Sequence, residues 1–258
     1  MLTAAALAGL PEIEPGADLA ALIATSITRM RAAADPDHLE LTPGDVLVIA
    51  HKAVSKAEGR IRSLADVSPT DRARALARAH GKDPAHVQVI LDESLEVIRA
   101  ERGILICVTH HGFVCANAGV DASNAPTPGT VIMLPRDPDA SARALRARLH
   151  ELTGVRLGIV VTDSFGRAWR NGQCDVAIGC AGIAPLDDWR GRTDRAGREL
   201  HATELAAADE LAAAADLART KDGGEPVILV RGAHRHVIDD DGPGAAALIR
   251  PAAQDLFR

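Results

Sequence analysis

Aromatic residues are scarce in this 258-residue chain, which has three phenylalanines, two tryptophans and no tyrosine. Aromatic platforms for stacked bases are therefore nearly absent, and a net charge of −6 argues against general affinity for nucleic acid. Because 47% of the residues are nevertheless apolar, we expect a core of alanine, leucine, valine and isoleucine. The chain is long enough for one large domain or two closely packed lobes.

Cysteine is also rare, and long hydrophobic runs are missing. Cys107, Cys115, Cys174 and Cys180 form no CxxC pair and no zinc spacing, so we interpret them as reduced, mostly buried thiols of a cytoplasmic protein. No apolar run approaches about 18 residues, and residues 1–10 lack the basic start of a signal peptide. We therefore expect no membrane-spanning segment.

Two familiar nucleotide-binding motifs are missing as well: the sequence has no GxxxxGK[ST] loop and no GxGxxG after a predicted strand. The pattern of apolar residues instead predicts a mixed α/β protein. Strands are predicted at residues 46–50, 104–108, 130–134, 157–161 and 226–232. Helices are predicted at residues 18–30, 68–81, 83–102, 138–152 and 203–219, with the arginines of 138–152 on a solvated face.

The stretch LGIVVTDSFGRAWR at residues 157–170 combines several reactive side chains. Its apolar start predicts a buried strand, whose end carries Asp163 and Ser164 before a glycine-containing turn. A carboxylate and a hydroxyl there can share one hard cation such as Mg²⁺ or Mn²⁺, and Arg167 and Arg170 suit a polyanion bound to it. For this stretch alone, an aspartate that caps the turn beside two solvated arginines remains the alternative.

Polar residues also follow two other predicted strands. Residues 51–56 supply two lysines and a serine, which suit phosphate oxygens, and residues 117–124 supply one carboxylate, that of Asp121, and several neutral polar oxygens. Ligands gather beyond the ends of strands in sheets of this kind, where Asp121 and Asp163 would bind a divalent metal. Short polar residues also form structural turns, so spacing alone indicates a metal–phosphate site and nothing more specific.

Five motifs occur together along the chain. They are GLPEI at residues 9–13, VSKAEGR at 54–60, GFVCANAGVDASN at 112–124, TDSFGRAWR at 162–170 and VRG at 230–232. In order and spacing they resemble the coenzyme F420-0:γ-glutamyl ligase family over nearly the whole chain. The resemblance implies a single unit over residues 1–258, with a mixed α/β (α+β) fold of two intimately packed lobes that forms an intertwined homodimer.

The same resemblance implies a GTP-dependent ligase that adds L-glutamate to coenzyme F420-0 through an acyl phosphate, and then adds further γ-linked glutamates. The implied partners are F420-0, L-glutamate and GTP, with no nucleic acid and no membrane. The implied cofactors are Mg²⁺ or Mn²⁺, as two divalent ions, together with K⁺. A biosynthetic ligase of this kind is expected in the cytoplasm.

The resemblance also assigns roles to individual positions. It implies metal ligands at Asp121, Asp163 and Ser164, with Thr220 as a further ligand. The implied GTP contacts are Leu10, Pro11, Glu12, Ile13, His51, Lys56 and Asn124. Lys56 would steady developing negative charge, and Arg167 or Arg170 would grip a substrate phosphate or carboxylate.

Three places depart from the family pattern. His51 stands where a small or amide side chain is usual, and His110 stands where an arginine is expected. Residues 219–221 read Arg-Thr-Lys, where the family has glycine and then a polar residue that can help to hold metal. The alternatives are a ligase of the same fold with another acceptor acid, a non-catalytic guanine-nucleotide-binding protein, and a metal phosphatase that uses Asp121 and Asp163.

Overall fold

The computed structural model describes residues 1–33, 40–220 and 222–256, which form a mixed α/β structure. The strands are β1 (Thr3–Ala6), β2 (Val46–Ala50), β3 (Ile61–Ser63), β4 (Ser94–Glu101), β5 (Ile104–Thr109), β6 (Val114–Ala116), β7 (Thr130–Ile132), β8 (Gly158–Arg167), β9 (Arg170–Ala181), β10 (Asp187–Asp188), β11 (Glu204–Leu205) and β12 (Val227–Arg231). The α-helices are α1 (Leu19–Ala33), α2 (His51–Ala57), α3 (Asp71–His80), α4 (Pro84–Asp92), α5 (Pro138–Thr153) and α6 (Ala207–Asp216).

The main sheet has five strands in the order β1-β12-β2-β8-β9. β2 and β8 are parallel, and the other pairs are antiparallel. Side chains alternate between the two faces along each strand. Leu47 and Ile49 therefore pack in the core that includes α1 and α5, whereas Val48 packs in the core that includes α6. A sheet covered by helices on both faces explains why its central strands are continuous apolar runs.

A second region, between β3 and β7, has its own core. The antiparallel sheet β4-β5-β6 packs one face against α3 and α4, where Ile90, Leu105 and Cys107 are fully buried. The other face exposes large apolar side chains. They are Leu95, Ile98, Ile104 and Val114, which are between 36% and 66% exposed. We refer to these four residues as the apolar sheet face.

Three predicted helix boundaries are wrong. The helix predicted at 83–102 ends at Asp92, because residues 94–101 pair with β5 as β4. The cap of α3 is Thr70 rather than Ser68, since the Thr70 side chain accepts from the Ala73 N–H; Gly81 ends the helix as predicted. The helix predicted at 203–219 begins at Ala207, because the preceding residues pair with β10.

The strand predicted at residues 157–161 is longer than expected. β8 continues to Arg167 and forms a hairpin with β9, for which the sequence pattern predicts no strand. The expectation of a fully solvated arginine face on α5 is also wrong at one position. The Arg146 guanidinium donates to Leu157 O and Ile238 O at 3.0 Å and to Asp241 Oδ1 at 2.8 Å. This arginine therefore attaches the C-terminal segment to the main sheet.

Other predictions are confirmed. The strand at 46–50 has the predicted bounds, and the helix predicted at 138–152 spans Pro138–Thr153, with Gly154 as its left-handed C-cap. The four cysteines are free thiols. Across the described ranges, none of the helices combines the length and apolarity that a bilayer span requires.

Candidate active site

The candidate site lies where β2 ends and β8 continues. The last paired residues of these parallel strands are Ala50 and Thr162, and α2 begins at the very next residue, His51. Beyond Thr162, β8 has no β2 neighbour, so the side chain of Asp163 meets the first turn of α2 instead. The register of two buried strands thus determines which polar residues meet.

Two distant carboxylates contact consecutive residues of α2. Asp163 Oδ1 lies 3.3 Å from His51 Nε2, and Asp121 Oδ2 accepts a hydrogen bond from Lys52 Nζ at 2.6 Å. The two carboxylates therefore each contact the first turn of α2, Asp163 at its first residue and Asp121 at its second. That Asp121 and Asp163 converge on one shared metal ion stays a prediction.

Asp121 is held by several donors. Its Oδ1 accepts from the Ser123 N–H at 2.7 Å, and its Oδ2 also accepts from Ser123 Oγ at 2.7 Å. Two backbone hydrogen bonds with Ile132 fix its main chain beside β7. Burial alone would raise the pKa of this carboxyl, but the hydrogen bonds from Lys52 and Ser123 bring the pKa below its ordinary value. Asp121 is therefore maintained as an anion.

The segment at residues 10–13 lies against α2 as well. Glu12 Oε1 accepts from Lys56 Nζ at 2.5 Å, and Ala57 O accepts from the Gly16 N–H at 2.8 Å. Leu10 and Ile13 pack into the main core, which anchors the segment, while Glu12 stays exposed. The side chains of His51 and Lys56 are largely buried. The GTP contacts implied by the resemblance at residues 10–13 therefore lie against α2, the short helix that itself carries the implied contacts His51 and Lys56.

Asp163 and Ser164 point to opposite faces of the main sheet. Alternate residues of a strand share a face, so Asp163 lies on the same face as Val161, which packs in the core with α1. Ser164 lies on the same face as Val160, which packs in the core with α6. Ser164 Oγ donates to Asp175 Oδ1 at 2.6 Å. One cation on the Asp163 face would therefore not reach Ser164 from that same face.

Asp175 and Arg219, to which the sequence pattern assigns no role in the site, form a buried ion pair. Asp175 Oδ2 accepts from Thr162 Oγ1 at 3.0 Å and from Arg219 Nη1 at 2.8 Å, so the carboxylate is surrounded by donors. The Asp175 side chain is 2% exposed and the Arg219 side chain 9%. A signal was present, because a lone aspartate inside the apolar stretch CDVAIGCA at residues 174–181 needs a buried partner.

Four residues with implied roles are exposed. Arg167 and Arg170 are paired at the tip of the β8–β9 hairpin, where Arg167 Nη2 donates to Asn171 O at 2.6 Å. At 3.3 Å per residue, Arg167 is about 13 Å along the strand from Asp163. Asn124 is exposed in a turn with φ of 56°, and Thr220 is exposed with its hydroxyl next to Gly223. Lys221 lies outside the described residues.

His110 contacts a backbone carbonyl. Its Nε2 lies 2.9 Å from Asp92 O at the end of α4. A carbonyl can only accept, so this ring nitrogen carries the proton and donates. His110 therefore connects the loop after β5 to α4, and an anion at this position would have to compete with that bond.

The donor set fits one hard cation on the Asp163 face. In the described part of the chain, no three histidine, cysteine, aspartate or glutamate side chains cluster in a way that could hold a metal. Of the implied ligands, only the carboxylates of Asp121 and Asp163 contact α2, because Ser164 faces the other side of the sheet and Thr220 is exposed. The remaining coordination would have to come from ligand oxygens or water. Oxygen donors of this kind suit Mg²⁺ and Mn²⁺.

Comparisons with known proteins give one consistent result. A protein-family model described as F420-0:Gamma-glutamyl ligase matches residues 9–232. A "Coenzyme F420:L-glutamate ligase" of Methanopyrus kandleri is 47% identical over 249 residues, which are 96% of this chain and 94% of the relative. Proteins of the same name from Methanothermobacter thermautotrophicus and Methanocaldococcus jannaschii are 41% and 44% identical, over 97% and 83% of this chain and 96% and 85% of the relatives.

Proposed function

The chain belongs to the F420-0:gamma-glutamyl ligase family, and we propose that it joins L-glutamate to the free carboxylate of coenzyme F420-0 with GTP as the energy source. A second and later glutamate would be added through γ-linked amides. The observation that carries the proposal is the contact of Asp163 with His51 and of Asp121 with Lys52, by which carboxylates from two distant segments meet the first turn of α2.

Activation of the acceptor is the first chemical step. A carboxylate is a poor electrophile, so its oxygen attacks the γ-phosphorus of GTP, GDP leaves, and an acyl phosphate forms. Such a step depends chiefly on positioning and on balancing charge. Lys56, which donates a hydrogen bond to Glu12, would neutralise developing charge on the phosphate oxygens.

Amide formation is the second step. The amine of glutamate attacks the acyl carbonyl carbon, inorganic phosphate leaves, and the amine loses a proton. An acyl phosphate that reached water would hydrolyse instead, so the site has to exclude water while it is loaded. Arg167 and Arg170, at the tip of the hairpin, would have to close toward Asp163 to grip the phosphate or a substrate carboxylate.

Asp121 and Asp163 are the residues that we propose hold a divalent cation, Mg²⁺ or Mn²⁺. Such an ion would supply positive charge that stabilises the transferred phosphoryl group. Lys52 and His51 contact these two carboxylates, and both side chains would turn toward phosphate oxygens when a cation binds. The segment at residues 10–13 and Asn124 would complete the nucleotide contacts.

We also propose a homodimer and a cytoplasmic location. The four large apolar side chains of the apolar sheet face are exposed on a single chain, and large exposed apolar surface commonly marks an interface. A second copy of the chain would cover it. The four free cysteines suit a reducing compartment.

The test is a direct assay of product mass. Purified protein is incubated with F420-0, GTP and L-glutamate, and the product is weighed by mass spectrometry, with each component omitted in turn. The proposal requires an added glutamate residue and GTP hydrolysis that depends on both F420-0 and glutamate. GTP binding without acceptor-dependent turnover would instead identify a nucleotide-binding protein. Phosphate release from simple esters without glutamate would identify a phosphatase.

A further inference from the structure

Arg219 places a buried guanidinium on the face of the sheet to which Ser164 points. Its Nη1 donates to Asp175 Oδ2 at 2.8 Å, and the other oxygen of the same carboxylate accepts from Ser164 Oγ at 2.6 Å. The Asp175 carboxylate thus connects the guanidinium to the hydroxyl of Ser164, which the resemblance implies as a metal ligand. This arrangement depends on residue 219 being an arginine.

The surroundings of Ser164 do not fit a second divalent cation. An ion there would lie close to the fixed charge of Arg219, in a buried setting where like charges repel strongly. Asp175, the carboxylate that could attract the ion, already accepts hydrogen bonds at both oxygens. Thr220, the other implied ligand on this side, is exposed beside Gly223.

Arg219 also keeps a donor available. Its Nε is buried and has no hydrogen-bond partner among the described residues. A buried donor without a partner is costly, and the planar fork of a guanidinium suits phosphate oxygens. The combination indicates that an anionic oxygen from outside the chain completes this group.

We propose that Arg219 replaces a second divalent cation, supplying the positive charge on the Ser164 face and donating from Nε to a phosphate oxygen of the bound nucleotide. The inference rests on the proposed GTP-dependent reaction. Asp175 is then a positioning residue that holds the guanidinium and Ser164 in place. The enzyme would operate with one divalent ion per chain, bound at Asp121 and Asp163.

The test counts bound manganese. Mn²⁺ is titrated into the full-length protein with a non-hydrolysable β,γ-imido analogue of GTP, and free Mn²⁺ is followed by electron paramagnetic resonance. Wild type is expected to bind one Mn²⁺ per chain. Arg219→Ala removes the guanidinium from the Asp175 carboxylate beside Ser164 and should gain a second, weaker Mn²⁺ site. The double variant Arg219→Ala/Asp175→Asn, which also lacks the negative charge of Asp175, should again bind one Mn²⁺ per chain.

Two further variants keep the test decisive. Arg219→Lys retains a cation and should stay at one Mn²⁺, and Arg148→Ala, which removes a half-exposed arginine of α5, should behave as wild type. Turnover of Arg219→Ala should fall on the order of 10²-fold, as expected for loss of a group that stabilises transferred phosphoryl charge. If Arg219→Ala fails to fold, the number of Mn²⁺ ions bound by wild type and by Arg219→Lys still tests the inference.

The outcomes separate this inference from the proposed function. A wild type that ligates glutamate but binds two Mn²⁺ ions overturns the role of Arg219 alone. A folded Arg219→Ala variant that stays at one ion also overturns it. A wild type that forms no product and binds no Mn²⁺ with the nucleotide analogue overturns the proposed function and the inference together.

Discussion

Asp163 Oδ1 lies 3.3 Å from His51 Nε2, on the opposite side of the sheet from the hydroxyl of Ser164. The other ring nitrogen of His51 is 3.3 Å from Ser55 Oγ, so the imidazole is held from both ends. His51 therefore orients Asp163, and Asp175 orients Ser164, although the two oriented residues are neighbours in the chain. The two faces of β8 have different electrostatic surroundings, an imidazole on one and a guanidinium on the other.

Asp163→Asn should abolish ligation and leave the fold intact. The substitution keeps an oxygen that can face His51 but removes the charge that we propose holds the divalent cation. We expect turnover to fall by about 10²- to 10³-fold, the cost of losing one group that stabilises transition-state charge. Product mass and GTP hydrolysis measure the loss, and circular dichroism checks the fold.

The matched control is Asp239→Asn, because Asp239 carries the same carboxyl group at the protein surface. Its turnover should equal that of wild type. Normal turnover in a folded Asp163→Asn variant would remove Asp163 from the proposed metal site.

A second prediction concerns the apolar sheet face. Leu95→Asp should convert a dimer into monomers, because Leu95 is the most exposed residue of this face and a buried charge there would have no partner. Light scattering after size-exclusion chromatography gives the mass. Leu217→Asp is the control, since Leu217 is 90% exposed and lies outside this face. A wild-type chain that is monomeric at micromolar concentration, or a Leu95→Asp variant that remains dimeric, would contradict the proposed interface.

Much of the main sheet could be predicted from the sequence. The runs at 46–50 and 227–231 are strongly apolar because both of their faces are covered, and such a pattern is readable without a structure. β4 and β9 were missed for a physical reason. β4 contains bulges that break the period-two pattern, and β9 is rich in glycine and alanine, which carry little strand signal.

The candidate site could be predicted only in part. Asp121 and Asp163 follow predicted strands, so the sequence indicated that both belong to the site. The contact of Asp175 with Arg219 joins residues 44 positions apart and depends on the register of the hairpin, with Ser164 directly opposite Asp175. Pairing of this kind follows from tertiary structure, and local patterns do not encode it.

A third prediction tests the close approach between Gly182 and Arg146. Gly182 has φ of +68°, and a Cβ added there would lie 2.3 Å from Arg146 Nε. Gly182→Ala should therefore displace the guanidinium from Leu157 O and Asp241. We expect the free energy of unfolding to fall by about 3 kcal/mol, from backbone strain together with lost hydrogen bonds.

Gly191→Ala separates these two causes. Gly191 has φ of +78° but nothing within 4 Å of an added Cβ, so this variant introduces the backbone strain without a steric clash. The free energy of unfolding of Gly191→Ala should fall by about 1 kcal/mol. Urea denaturation of both variants measures the difference, and equal losses would show that the position of Arg146 does not depend on Gly182.

The last prediction concerns pH and Asp209, in the first turn of α6. Burial raises the pKa of this carboxyl, while a hydrogen bond from the Ala177 N–H at 2.8 Å partly opposes the rise. The folded chain therefore binds this proton more tightly than the unfolded chain does. Ionised Asp209 lowers stability at neutral pH, and the penalty disappears as the pH falls through its raised pKa toward the ordinary value of about 3.9.

Asp209→Asn should therefore be more stable than wild type at pH 7, because the amide oxygen can still accept from Ala177 while the buried charge is gone. The advantage should shrink as the pH falls, since wild type then becomes neutral at this position too. Urea denaturation at pH 7 and at pH 4 measures both effects, with Asp239→Asn as the exposed control. An advantage that is independent of pH, or a variant less stable than wild type at pH 7, would show that burial of this carboxylate does not cost the fold stability.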